Sequence, residues 1–554
     1  MVYPKPASNL KAPGLSPGPP SGILQAMSDD VTPDSGAFVR ESGRLSLLTL
    51  ASRILGLVRE MTRAAFMGTG TLADAFTVSF LIPNFLRRLF AEGSIAVAFI
   101  PTFKGYLLAG DREESENFLC SMHTVLSLLV GLTVLLGIAL TPLIVLLFRS
   151  DPAETIVLTR MMFPYLALVS FAAFLQGILN SVHVFVPAGI APILFNLGFI
   201  AVPYALAPFL PNPARALAVG VLVGGLAQAL CQLPAVLRRG YRFRFISPVR
   251  AFRNPGMRKV LALIAPTILG MAAYQVNELV CTAVASGAGV GVATSLTFSL
   301  RLQELVLGIF AVSIGTVMLP DLSERAKRGE WEAFSDRLEG ALKAIVLVTI
   351  PVAVFSMIEG RDIIVLLFKA REFGADSVDL TVRAFFFHMT GLFFIAANRI
   401  LAPAFYARED TKSPVQAGMA SFAVNIALAV LLAGPMGGGG IALALSLGSA
   451  LNTVILVWLL IRRRIPGISG AAARVARYAL RILVFSAPAG AAAFLVRKAL
   501  ETPLSGAEGR LLAAGAPLAA CALAFAAVGI GLLAATKDAS AAGLVRALRR
   551  RDVR

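Results

Sequence analysis

Long apolar runs separated by short polar breaks recur along almost the whole chain of 554 residues. An α-helix needs ~20 apolar residues to cross ~30 Å of hydrocarbon, and the runs here have that length. They predict fourteen spans, at 44–67, 72–102, 119–148, 153–181, 187–210, 214–238, 258–286, 291–320, 334–358, 379–406, 413–434, 438–462, 474–497 and 509–535. Strands of a membrane barrel would instead alternate over ~10-residue segments. The fold class is therefore an all-α polytopic membrane protein. The border between the ninth and tenth spans is the least defined, because "FKAREFGADSVD" has helical as well as loop character.

Composition agrees with the pattern: 57% of residues are hydrophobic and 15% charged, against about half and a quarter in soluble domains. The net charge of +18 would suggest nucleic acid in a soluble protein. Here most Lys and Arg fall in a few loops, as membrane orientation requires, and no nucleic acid is expected. Arg238, Arg239, Arg242, Arg244, Arg250, Arg253, Arg258 and Lys259 follow the sixth span; Arg325, Lys327, Arg328 and Arg337 follow the eighth; Arg462, Arg463 and Arg464 follow the twelfth. The alternate loops "GTGTLAD", "SGAGVGV" and "GPMGGGG" have no Lys or Arg, and the last reads as an outer turn. Loop 359–378 is an exception, with Arg361, Lys369 and Arg371. Both termini are thus expected in the cytoplasm. Residues 1–42 are rich in Pro, Gly and Ser without the charged-then-apolar pattern of a signal peptide, and read as a disordered tail. Cys120, Cys231, Cys281 and Cys521 read as packing residues, and scattered His123, His183 and His388 suggest no metal site.

An internal repeat divides the chain. "SIAVAFIPTFKGYLLAGDREESENF" (94–118) resembles "SIGTVMLPDLSERAKRGEWEAF" (313–334), aligning Ser94 with Ser313, Pro101 with Pro320 and Gly110 with Gly329. "GILN" (177–180) is echoed by "RILA" (399–402). Spans one to six and seven to twelve therefore read as two six-helix lobes related by a pseudo-twofold along the membrane normal. The expected divisions are a tail (1–42), an N-lobe (43–240), a basic linker (241–257), a C-lobe (258–464), two further helices (465–536) and a basic cytoplasmic tail (537–554).

Charges interrupt several spans: Arg53, Arg59, Glu60 and Arg63 in the first; Arg87, Arg88 and Glu92 in the second, with Asp74 at its outer end; Asn277 and Glu278 in the seventh; Arg301 and Glu304 in the eighth; Asn398 and Arg399 in the tenth. One Arg at bilayer centre costs ~3 kcal/mol, so four facing lipid would cost on the order of 10 kcal/mol. One reading is a set of buried ion pairs: Glu60 with Arg59 or Arg63, Arg88 with Glu92, Arg301 with Glu304. The other is a wet cavity with residual positive charge, in which guanidinium forks suit phosphate oxygens. Snorkelling would take Arg63, and even Arg59, out of that cavity. Pro83 and Gly93 suggest a bend in span two beside its arginines. Glu278 reads equally as a proton carrier or as a hydrogen-bond partner of Asn277, Gln275 or a neighbouring helix. Asp74 reads as a helix cap or a gate residue.

"SRILGLVRE" (52–60), "ADAF" (73–76), "PNFLRRLFAEG" (83–93) and "LAPAFYARED" with "TKSPV" (401–415) together resemble the MurJ (MviN) family of lipid II flippases. These belong to the multidrug/oligosaccharidyl-lipid/polysaccharide exporter superfamily. The resemblance runs from about residue 44 to 535. It implies two lobes around a cationic cavity, and two C-terminal helices forming a groove for a lipid tail. It implies a transporter rather than an enzyme, in the bacterial cytoplasmic (inner) membrane, active in peptidoglycan biosynthesis and cell shape. The implied partners are lipid II (undecaprenyl pyrophosphate carrying a disaccharide-pentapeptide), the bilayer and the cell-wall synthesis machinery.

By the same resemblance Arg53, Arg59, Arg87 and Arg301 match the substrate-binding arginines, and Asp74 the outer-gate aspartate. Arg88 and Glu92 fall in the same motif, Glu60 and Glu304 are supporting groups, and Glu278 and Asn398 are candidates for coupling. No cofactor is implied; the drive would be the membrane potential or a gradient of H+ or Na+. Two departures bear on this. Leu300 stands where some relatives carry an aspartate, and Cys281 where some hold sodium through one. The alternatives are a flippase for another polyprenyl-pyrophosphate oligosaccharide, of O-antigen or capsule type, or a polyprenyl-dependent glycosyltransferase. The second would need more outer-loop acids than Asp74.

Overall fold

The computed structural model describes residues 35–88, 95–501, 509–538 and 540–542, and within them every regular element is helical. Helix α1 spans Ser35–Met67, so helix begins inside the expected tail. In the second run, α2 (Thr71–Arg87) contains Pro83 and is capped by Arg88, a π-helical turn covers Ile95–Phe99, and α3 follows at Ile100–Ala109. Glu92, Gly93 and Ser94 lie outside the described residues. Next come α4 (Arg112–Val145), α5 (Pro152–Met162), α6 (Tyr165–Ser181), α7 (Val186–Leu206), α8 (Pro213–Leu230) and short α9 (Leu233–Arg238). The basic linker contains α10 (Pro248–Arg253).

The second half repeats the order with α11 (Pro255–Ala288), α12 (Val292–Arg328), α13 (Trp331–Ile358), α14 (Gly360–Phe368), α15 (Ala375–Thr390), α16 (Leu392–Tyr406), α17 (Lys412–Met436) and α18 (Gly438–Arg462). Helices α19 (Ile468–Glu501) and α20 (Ala516–Ala535) follow. Among the described residues, nine helical runs are long and apolar enough to cross a membrane. A tenth is the pair α15–α16, bent by 43°. The charged helix α1 and helices α2 and α3 are not among them.

The two halves pack alike. Helices α7 and α8 form a hairpin, as α17 and α18 do; α1 lies on α7 as α11 lies on α17. Helix α2 lies on α5 and α6 as α12 lies on α15 and α16, and α6 lies on α8 as α16 lies on α18. The repeated glycines Gly110 and Gly329 both cap their helices in the left-handed region, at φ 76° and 73°. Glycine is suited to that conformation because it has no Cβ to clash.

The glycine run after α17 differs from the expected loop. Only Gly437 (φ 57°) turns the chain, and Gly438 to Gly440 open α18. A Cβ on Gly440 would lie 2.2 Å from the Leu432 carbonyl oxygen, so the small residues serve close hairpin packing. The α15–α16 bend falls at Gly391, where a Cβ would lie 2.8 Å from Ser446 Cα. The carbonyls freed there are taken up: Ser446 donates to Phe387 O at 2.7 Å, and Gln303 donates to His388 O.

Helix α19 packs along α13 and is clamped at both ends by ion pairs. Glu339 holds Arg474 (2.5 Å) and Lys343 (2.7 Å) near one end, and Arg497 lies 3.4 Å from Asp362 near the other. The charges of loop 359–378 are likewise engaged. Arg361 pairs with Asp379 at 2.6 Å, and Arg371 lies over the Phe66 and Tyr204 rings at 5.3 and 5.5 Å.

Candidate functional site

The lobes meet along a seam formed by α1 and α2 on one side and α11 and α12 on the other. The seam is tied at the end opposite the basic linker. There the Asp74 carboxylate, in the first turn of α2, accepts from Gly291 N (2.6 Å), Thr294 N (2.9 Å) and Thr294 Oγ (2.7 Å). Asp74 is thus a cap, but of α12 in the other lobe rather than of its own helix; a carboxylate there meets unpaired N–H groups and the positive helix terminus. Around it Thr69 N and Oγ lie 3.2 and 2.9 Å from Ser377 Oγ, Glu372 N donates to Ala65 O at 3.2 Å, and Thr77 Oγ meets Thr294 Oγ at 2.9 Å. Gly291 (φ 81°) comes so near Thr69 that a Cβ would lie 2.0 Å from its carbonyl oxygen.

Deeper in the seam, Glu60 is 5% exposed and lies among three arginines. Its carboxylate is 2.8 Å from Arg59, 3.4 Å from Arg63 and 3.9 Å from Arg301 of the other lobe. Arg63 does not snorkel. It is 5% exposed, with its guanidinium 4.4 Å from the Phe298 ring centre. Arg59 also points inward, bonding Asn196 Oδ1 at 3.0 Å and lying 5.8 and 5.6 Å from the Phe195 and Phe199 rings. Burial of the guanidinium against aromatic faces and a shared carboxylate replaces the route to the headgroup region.

Arg301 reaches Glu304 at 2.7 Å. Arg88 crosses the seam to Glu278 (2.5 Å) and Gln275 (3.2 Å), which is the neighbouring-helix partner left open for Glu278. The alternative partner Glu92 lies outside the described residues. Arg87 donates to Asn84 Oδ1 at 2.9 Å. Arg53 reaches α12 directly: a Cβ on Gly308 would lie 1.8 Å from its Nη1.

Two adjoining chambers open along this seam. The first, about 530 Å³, is lined by Glu60, Arg63, Arg88, Glu278, Arg301, Glu304 and Arg399 among charged groups. Its wall is rich in amides, including Asn277, Asn398, Asn425 and Asn452. Asn425 bonds Asn277 (2.9 Å) and Cys281 (3.3 Å), while Asn398 is held by Ser449 O (3.0 Å) and Thr453 Oγ (2.9 Å). The second chamber, about 570 Å³, is lined by Arg59, Arg87, Arg88 and Arg301, with Asn84, Gln176, Asn180 and Gln228 and, among the described residues, no carboxylate. Phe80, Asn84, Arg88 and Arg301 border both.

The seam thus brings together Arg59, Arg87, Arg88, Arg301, Glu60, Glu278 and Glu304. Asp74 stands apart at the tied end, Asn398 sits on the C-lobe wall, and Arg53 lies against Gly308 outside both linings. Sequence reasoning missed Asn84, Asn196 and Asn425. Each is a lone amide in an apolar run, which is itself the available signal.

Two repeated helical lobes around a charged central space define a membrane transporter. The fold matches solved structures of that kind. One titled "Lipid II flippase MurJ, inward closed conformation" aligns with TM-score 0.72 at 23% identity, over 88% of this chain and 97% of that one. An inward-facing multidrug resistance MATE family transporter of the MOP superfamily aligns with TM-score 0.60 at 16% identity, over 78% and 98%.

The chain belongs to the lipid II flippase MurJ family: that family's model matches residues 63–505. A probable lipid II flippase MurJ of Treponema pallidum (strain Nichols) is 43% identical over 519 residues, covering 91% of this chain and 97% of that protein.

Proposed function

We propose that this protein flips lipid II from the inner to the outer leaflet of the bacterial cytoplasmic membrane by alternating access, with the arginine-lined chamber holding the pyrophosphate. One observation carries the reading: Arg59, Arg87, Arg88 and Arg301, from three helices and both lobes, converge on one chamber of about 570 Å³. A diphosphate offers several charged oxygens to which such guanidinium forks can donate together. The adjoining amide-walled chamber suits hydroxyl and amide groups of a sugar-peptide headgroup. The C55 tail stays in lipid along α19 and α20, whose outer faces expose Leu480, Val484, Leu495 and Leu523.

In this reading the basic linker and both termini are cytoplasmic, and the tied end at Asp74 is the closed outer gate. An inside-negative potential then favours outward passage of the headgroup by ~2.3 kcal/mol per charge moved per 100 mV. The protein works beside the enzymes that make and consume lipid II. The test is complementation of a flippase-depleted strain, with lipid II flipping measured in proteoliposomes. Arg87→Ala, Arg301→Ala and Arg53→Ala are each expected to abolish flipping while the protein still inserts. Normal growth on a chain carrying all three alanines rules the arginine chamber out.

A further inference from the structure

Arg88, like Arg301, borders both chambers and reaches a carboxylate of the opposite lobe. It belongs to the N-lobe and is held on the C-lobe side by Glu278 at 2.5 Å and Gln275 at 3.2 Å. Its neighbour Arg87 borders only the second chamber. The carboxylates of the seam differ in access. Glu60 is 6% exposed at its side chain, beneath Arg59, Arg63 and Arg301. Glu278 is 33% exposed and faces the cavity. Glu304 is more exposed still, at 47%, but its partner Arg301 lies on its own helix. Arg88–Glu278 is thus the cross-lobe pair that an entering anion can reach. Arg301–Glu60 is the one it cannot, being longer (3.9 Å) and covered on its acidic side.

We propose that Glu278 stands in for the substrate. It holds Arg88 across the seam while the site is empty, and a bound diphosphate displaces it, drawing Arg88 into the arginine chamber and releasing the α2–α11 bridge. The inference rests on the reading above that this chamber takes a diphosphate. Guanidinium binds a carboxylate and a phosphate through the same fork, so the two compete for one site, and the diphosphate brings more acceptor oxygens and more charge. The exchange does two things. It keeps the empty chamber one cation short, which weakens its hold on small inorganic anions. It also makes ligand binding and loss of a cross-lobe tie one event, which gives the ligand a differential affinity for the two lobe arrangements. On release of the ligand, Glu278 recaptures Arg88.

The test uses the full chain in detergent, with inorganic pyrophosphate as the probe and calorimetric titration as the readout, followed by flipping in proteoliposomes. Glu278→Gln keeps the shape and removes the competing charge. It is expected to bind pyrophosphate about tenfold tighter, a factor equal to about 1.4 kcal/mol, while flipping slows because the ligand is no longer displaced. Glu278→Asp, charged but shorter, is expected to fall between. In an Arg88→Ala background Glu278→Gln is expected to change nothing, since a double-mutant cycle isolates the pair. Unchanged or weaker binding by Glu278→Gln overturns the exchange, as does an equal gain in the Arg88→Ala background. If binding still requires Arg87 and Arg301 in that case, the arginine chamber stands without the exchange. If the wild-type chain binds no pyrophosphate, both readings fall.

Discussion

Asp74→Asn tests whether the end of the seam opposite the basic linker is held by one carboxylate. Asp74 accepts three hydrogen bonds from Gly291 and Thr294 of the opposite lobe, at 2.6 to 2.9 Å. Bonds to a charged acceptor contribute ~1.5–3 kcal/mol each. Asparagine with its oxygen in the Oδ1 place keeps both Thr294 bonds, now to a neutral acceptor, and turns its NH2 group toward Gly291 N–H, so one of the three bonds fails and two weaken. With ~1.5 kcal/mol for the lost bond and ~0.5 kcal/mol for each weakened one, the closed end loses ~2.5 kcal/mol, which is on the order of 100-fold in the ratio of closed to open. The assay is alkylation of a single cysteine at Ser377, which is 6% exposed beneath Thr69 and reachable only when the end opens. With the four native cysteines replaced, an impermeant maleimide added from outside should react on the order of 100-fold faster in Asp74→Asn than in the same background with Asp74. Thr294→Val removes the hydroxyl bond alone and should give a smaller acceleration. An unchanged rate in Asp74→Asn would refute the argument, because the hydroxyl contacts and Gly291 packing would then hold the end by themselves.

Gly308→Ala places a Cβ 1.8 Å from the present position of Arg53 Nη1. The atom that must move is the end of a flexible side chain, so yield and thermal stability should stay close to wild type. Flipping should fall to the level of Arg53→Ala, with no further loss in the double variant. At the linker end, Asp410 pairs with Arg463, which also donates to Ser413 Oγ at 2.7 Å. Burial pushes the Asp410 carboxyl up, but hydrogen bonds from Ser413 and the Arg463 charge outweigh it and hold the carboxyl below the usual carboxylate range. Its contribution to stability is then complete above the unfolded value of ~3.9 and is lost as pH falls through the lower folded one. Arg463→Ala should lower the unfolding temperature equally at pH 6 and 8, and the gap to wild type should close below about pH 4.

The helical class and the twofold repeat were legible because both rest on local signals: run length, and residues such as Gly110 and Gly329 that take the same left-handed cap. The charges inside spans were legible for a similar reason, since lipid makes each of them costly. Their partners were not. Glu60 lies beside Arg59 and Arg63 in sequence, so those pairs could be guessed, but Arg88–Glu278 joins residues 190 positions apart. Asp74 looked like a cap of its own helix because sequence shows only the neighbouring N–H groups, not those of α12. The bend at Gly391 left no trace, because glycine in a helix serves close packing as often as it serves a break. Arg63 near a helix end suggested snorkelling, and only the Phe298 face shows why it turns inward.

The charge arrangement along the seam carries a consequence for how the site cycles. Arg59, Arg63 and Arg301 share one buried carboxylate, Glu60, so that cluster stays positive whatever occupies the cavity. The amide oxygen of Asn196 and the rings of Phe195 and Phe199 orient Arg59, and the Phe298 ring orients Arg63, without cancelling their charge. Like charges at such spacing repel, and less screening in a low-dielectric wall strengthens the repulsion. On the proposed reading, the repulsion within an empty chamber is offset across the seam by the Arg88–Glu278 pair, while the far end is held by the cap at Asp74. A bound dianion would take the place of Glu278 without touching the cap. The lobes would then have two arrangements, with a preference between them that changes with occupancy. A central site of permanently matched ion pairs would lack that dependence, since binding would only exchange one neutral pair for another.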